Sequence, residues 1–148
     1  MKVKEQNGFS LIELLLVVVI IGVIATIAIP LLMKATHAAE NGNMYAAMRT
    51  IHSAQIVYRT QNSRYARLGE INEQQNGGIG RVSGDELFRG KFTLQMSPEP
   101  NPSDEQLIDN YKIVATKSIG GSADPYVLEI DASGYIREVF PDQEEEAP

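Results

Sequence analysis

The sequence predicts an α+β fold: one long N-terminal helix, its first half long enough to span a membrane, packed on a small antiparallel sheet of three to four strands. Three observations predict it. Leu14 to Leu32 is a run of 19 residues without a charge. Met44, Met48, Ile51, Gln55 and Tyr58 then recur at helical spacing. Alternating apolar and polar residues fill the last third, where two runs are joined by Asp131-Ala-Ser-Gly134.

The apolar run has the length of a membrane span. At 1.5 Å per residue, 19 helical residues cover about 28 Å, close to the roughly 30 Å hydrocarbon core of a bilayer. Lys2 and Lys4 precede the run, and no further basic residue occurs until Lys34. That asymmetry predicts a cytoplasmic N-terminus and a body across the membrane. A cleaved secretory signal has a shorter hydrophobic stretch. Thr36-His37-Ala38 could serve as its cleavage site, but this run is too long and too rich in branched residues. A plain signal anchor fits the length and leaves one residue unexplained. Glu13 is the only charge between Phe9 and Met33. An ionised carboxylate in hydrocarbon costs roughly 2.5–3.5 kcal/mol on insertion scales. The plain alternatives are an acid that snorkels to the interface and an acid that awaits a partner.

From Lys34 to Leu68 the pattern is helical. The 4-3-4-3 stripe from Met44 to Tyr58 puts those residues on one face, and Ala46, Ala47 and Ala54 add helix propensity. A bend is expected at Asn41-Gly42-Asn43. Asn62-Ser63-Arg64-Tyr65 is expected to end the helix, with Tyr65 and Leu68 as lids on the core. Residues 69–90, rich in Gly, Gln and Asn, are read as a surface loop with a short turn at Asp85–Phe88. Strands are expected at Lys91–Met96, Tyr111–Ala115, Tyr126–Ile130 and Tyr135–Val139, with Ser97–Asp104 as loop and the last two strands paired as a hairpin. Pro141–Pro148, with Asp142 and Glu144–Glu146, is read as a disordered acidic tail.

Catalytic chemistry is sparse. There is no cysteine. His37 and His52 lie about four turns apart on the expected helix, too far to share a metal. Gly84 and Gly90-Lys91 enclose one residue too many for a phosphate-binding loop, and Phe92 stands where Ser or Thr belongs. Asp104, Asp109, Asp124 and Asp131 fall in loops, and turn chemistry explains the Asp131 turn. The chain carries a net charge of −6. An acidic exterior argues against nonspecific nucleic-acid binding. No cofactor is expected, and the chain is not read as an enzyme.

Gly8-Phe9-Ser10-Leu11-Ile12-Glu13 resembles the processing motif of type IV pilins and type II secretion pseudopilins. The resemblance covers residues 1–33 strongly, the following helix loosely and the C-terminal half weakly. It implies that residues 1–8 are a basic leader, removed between Gly8 and Phe9 by a dedicated prepilin peptidase. The same enzyme would N-methylate Phe9. Removal of Lys2, Lys4 and Glu5 leaves 11 basic and 18 acidic side chains, a net charge of −7. The new amine at Phe9 lies four residues before Glu13, on one face if both are helical. The family places the acid of one subunit against the amine of its neighbour, which would set axial register. Gly22 and Pro30 fall where the family weakens its helix for extensibility.

The partners implied are further copies in a homopolymeric or mixed filament, and an inner-membrane assembly platform with a cytoplasmic ATPase. The implied location is the inner membrane before assembly, with the head periplasmic, and an extracellular or periplasmic filament afterwards. Residues 9–33 would be the filament-core helix, 34–68 its continuation and 69–140 the rest of the head. Many type IV pilins close a C-terminal loop with a disulfide, so the lack of cysteine leans toward a pseudopilin or a cysteine-free pilin. Major pseudopilins bind calcium in a C-terminal loop, and the matching motif is not recognisable here. A pilus subunit, a secretion pseudopilin and a membrane-anchored periplasmic binding domain are the readings left open.

Overall fold

The computed structural model describes residues 8–118 and 125–139. Asp124 and the acidic stretch Pro141–Pro148 lie outside them. The chain divides into two units, Met1–Ala39 and Glu40–Pro148. Helix α1, Leu11–Asn62, contributes to both. It is helical through Asn41-Gly42-Asn43, where a bend was expected. It stops where Ser63 takes a left-handed backbone (φ 59°), with the Ser63 N–H on the Arg59 carbonyl at 2.9 Å. The helix therefore ends at Asn62, as the Asn62–Tyr65 signal indicates, and not at Leu68. Leu68 instead opens a second helix, α2, Leu68–Gln74.

The second unit holds a six-stranded sheet in the order β1-β2-β3-β4-β5-β6, every neighbour antiparallel. The strands are β1 Arg81–Ser83, β2 Glu86–Arg89, β3 Phe92–Met96, β4 Lys112–Lys117, β5 Tyr126–Asp131 and β6 Ile136–Val139. The expectation of three to four strands is thus corrected to six, and residues 69–90 hold α2, β1 and β2 rather than a loop. The reason is local. β1 is exposed throughout and β2 buries only Leu87, so neither shows the apolar alternation that marks a half-buried strand. Two-residue glycine turns fold them back, Gly84-Asp85 with φ 62° and Gly90-Lys91 with φ 59° at the glycine. Such turns match the twist of a hairpin.

The core is built by alternation. Phe92, Leu94 and Met96 of β3 face inward with Ile113 and Ala115 of β4 and Leu128 and Ile130 of β5. Met44, Ala47, Met48, Ile51, Ala54 and Gln55 of α1 are buried with them, and Tyr58 is half-buried at its edge. Tyr65 and Leu68 are buried as the expected lids. The hairpin of β5 and β6 forms as read, with Ile130 opposite Ile136. Gly134 in its turn has φ 77°, and a Cβ there would meet His52 Nε2 at 2.5 Å.

Three polar clamps complete the head. Gln55, fully buried, donates to the Ala66 carbonyl at 2.8 Å and accepts the Ala66 N–H at 2.7 Å. Asn72 accepts the Ile79 and Gly80 N–H groups and donates to the Gly80 carbonyl, closing the loop between α2 and β1. Glu70 receives both terminal nitrogens of Arg64, the Tyr58 hydroxyl and the Arg67 backbone N–H. The Arg64 bonds dominate and hold its carboxyl down at about 2, against an opposing push from burial. Asp104 ties the same group to the β3–β4 connection through Arg67 at 2.7 Å and Arg64 at 3.3 Å.

Candidate functional site

The candidate site is the N-terminal unit. Gly8, Phe9 and Ser10 precede the helix and are exposed; the Phe9 side chain stands 85% exposed. The Gly8–Phe9 peptide therefore lies in non-helical backbone, where no intrahelical hydrogen bond holds it.

Glu13 is placed differently from the simplest expectation. Because α1 starts at Leu11, Phe9 and Glu13 do not share a helical face. The Glu13 carboxylate instead accepts the Ser10 backbone N–H at 3.0 Å. The Ser10 carbonyl accepts the Glu13 and Leu14 N–H groups at 3.1 and 3.2 Å. This is the return half of a capping box, in which the third helical residue satisfies the cap's own donor. A negative charge in the first turn also complements the helix dipole. Ser10 is the residue that sequence reasoning missed. Its signal was present as Ser-x-x-Glu before an apolar run. Glu70 does the same for Arg67 at the start of α2, with a 2.8 Å bond.

Beyond Glu13 the unit is an uncovered apolar surface. Every large apolar side chain from Phe9 to Met33 is exposed, and the most apolar 18-residue window has a mean hydropathy of 3.1 with none of it buried. Fully burying one such side chain is worth about 1.5–3 kcal/mol, so this surface calls for hydrocarbon or other helices. Its hydroxyls are already satisfied: Thr26 Oγ1 donates to the Val23 carbonyl at 2.6 Å and Thr36 Oγ1 to the Leu32 carbonyl at 2.7 Å. Such bonds are what an apolar solvent demands. Pro30 sits inside the helix, where it withholds the N–H that would meet the Thr26 carbonyl. At Gly22 the helix surface is open, and an added methyl group would meet nothing within 4 Å.

Residues 3–29 match the family model described as the prokaryotic N-terminal methylation motif. The chain carries a prokaryotic N-terminal methylation motif. The exposed Gly8–Phe9 peptide, Glu13 and Gly22 all lie inside it, and Pro30 lies one residue beyond.

Relatives of this motif-bearing chain fall into two groups. Type II secretion system core protein G of Klebsiella michiganensis is 34% identical over 65 residues, 44% of this chain and 46% of that protein. Type IV major pilin protein PilA of Myxococcus xanthus is 36% identical over 62 residues, 42% of this chain and 28% of that one. Type IV narrow pilus major component PilA5 of Thermus thermophilus is 32% identical over 74 residues, 50% of this chain and 64% of that one. The chain spans less than half the length of the first curated relatives it matches. No solved structure gives a significant match.

The other sequence candidates serve structure. His52 meets the Tyr111 hydroxyl at 2.8 Å through Nδ1. Asp131 accepts the Ser133 N–H at 2.9 Å and pairs with Arg137 at 2.9 Å, as hairpin-turn chemistry would have it. Among the described residues no group of three His, Asp or Glu side chains is placed to hold a metal ion.

Proposed function

We propose that this chain is a structural subunit of a type IV pilus-like filament, cut between Gly8 and Phe9 and N-methylated at Phe9. The observation that carries this reading is the pairing of an exposed, non-helical Gly8–Phe9 peptide with a helix whose apolar side chains are wholly uncovered. The methylation motif over residues 3–29 supports it. Before assembly the apolar helix is held in the inner membrane, N-terminus cytoplasmic and head periplasmic. The prepilin peptidase acts there, and the assembly platform and its ATPase draw the subunit into the filament. In the filament, neighbouring copies replace lipid around residues 9–33. Gly22 and Pro30 form the weak stretch of that helix. The head contributes no reaction.

A second reading is favoured by the first relatives, each a type II secretion core protein G: the filament is then a pseudopilus serving protein export. Both readings share the same assembly chemistry. Immunogold electron microscopy of cells overproducing the chain tests that chemistry. Labelled filaments are expected, and label confined to the membrane fraction would contradict it.

A further inference from the structure

Lysine is almost never fully buried, yet Lys117, which ends β4, is only 2% exposed. Its ammonium stands 5.0 Å from the Phe92 ring centre and 5.4 Å from that of Tyr126. It donates to the side-chain carbonyl oxygen of Asn41 on α1, 76 residues away in the chain. Glu40 divides its carboxylate between two lysines. Its Oε1 pairs with Lys91 Nζ at 2.7 Å, and its Oε2 lies 3.6 Å from Lys117 Nζ. Glu138 bonds the hydroxyl of Tyr126. All of these residues belong to the second unit.

The cluster holds the parts of an amide-forming reaction. Lys117 brings an amine, Asn41 a primary amide and Glu40 a carboxylate to carry a proton between them. The carbon to be attacked, Asn41 Cγ, lies one C=O bond, about 1.2 Å, beyond the oxygen that Nζ touches. Holding amine and amide in contact replaces a slow bimolecular encounter with an intramolecular step. The side chain of Lys117 is 3% exposed, so water has little access to compete as a nucleophile.

We propose that Lys117 and Asn41 join in an intramolecular isopeptide bond, with Glu40 as the proton carrier. Glu40 takes a proton from Nζ, and the neutral Nζ attacks Asn41 Cγ to form the new C–N bond. Glu40 returns the proton to Nδ2 as the Cγ–Nδ2 bond breaks. Nδ2 leaves as ammonia and takes the second Nζ proton with it as ammonium. An ammonium and a primary amide thus become a secondary amide and free ammonium. Hydrogens and charge balance, and no oxidant or reductant takes part. The bond ties α1 to a central strand of the sheet, in a chain that has no cysteine with which to form a disulfide.

The test is peptide mapping by mass spectrometry on the full chain, purified in detergent and digested with trypsin. Trypsin does not cut after an acylated lysine. The expected product is one branched peptide, residues 35–49 joined to residues 113–137, lighter than the sum of its two arms by one ammonia. Glu40→Gln keeps the size of the side chain and removes the proton carrier. It should yield residues 35–49, 113–117 and 118–137 as separate peptides, and so should Lys117→Arg. Separate peptides from the unaltered chain overturn the proposal. So does a branched peptide that forms undiminished in Glu40→Gln. Loss of ammonia from residues 35–49 without a branch also overturns it, because Asn41 would then have closed on the Gly42 nitrogen instead.

Discussion

Glu13→Ala is expected to insert into the membrane and to be processed, but to yield no filaments by electron microscopy. Three energies set that expectation. Loss of the acid removes an insertion penalty of roughly 2.5–3.5 kcal/mol, so anchoring improves. Loss of the acceptor at Ser10 frays the first turn by about 1 kcal/mol, too little to unfold a helix that continues to Asn62. In a packed bundle, however, the Phe9 amine of a neighbouring copy would be left without a counter-charge. Breaking a buried pair by removing one partner costs about 3–5 kcal/mol, and the cost recurs at every subunit. Glu13→Gln separates the two roles. Its amide oxygen still accepts the Ser10 N–H but carries no charge. Filaments absent from both variants assign the role to charge. Filaments from the glutamine variant alone reassign Glu13 to helix capping, and normal filaments from the alanine variant remove it from assembly.

Gln55→Leu is expected to cost the head about 3 kcal/mol or more, although leucine is the more apolar residue at a fully buried position. The glutamine amide makes two bonds to one residue's backbone, Ala66, at 2.7 and 2.8 Å. Ala66 is itself fully buried, so leucine would strand a backbone donor and acceptor away from water. Each stranded group costs about 1–3 kcal/mol, which outweighs the added apolar contact. For a head of roughly 100 residues, 3 kcal/mol lowers Tm by about 12–24 °C. Thermal melting of the full chain in detergent measures it. An unchanged Tm would show that the chain between α1 and α2 finds other partners for Ala66.

The stripe from Met44 to Tyr58 was legible because a helix packed on a sheet must repeat its apolar side chains every three to four residues. Gln55 sat in that stripe as an anomaly, and only the fold reveals why: the backbone it satisfies lies eleven residues on. β3, β4 and the β5–β6 hairpin were legible because each alternates between the core and the outer face. β1 and β2 were not, since a short, exposed edge hairpin buries little and writes no alternation. What betrays them is turn chemistry. Gly84-Asp85 and Gly90-Lys91 are both two-residue hairpin links. In the N-terminal unit the odd acid stood out by its cost in hydrocarbon. Its partner Ser10 did not, because an ordinary backbone N–H has no sequence signature beyond the Ser-x-x-Glu spacing. The role proposed for Glu13 between subunits rests on an amine that the proposed proteolysis would create.

That amine is open to the most direct test. Tandem mass spectrometry of the N-terminal peptide, taken from the chain produced in cells with a prepilin peptidase, reads it without ambiguity. A peptide beginning at N-methylated Phe9 is the expected result. An intact Met1, or a chain beginning after Ala38, would contradict it.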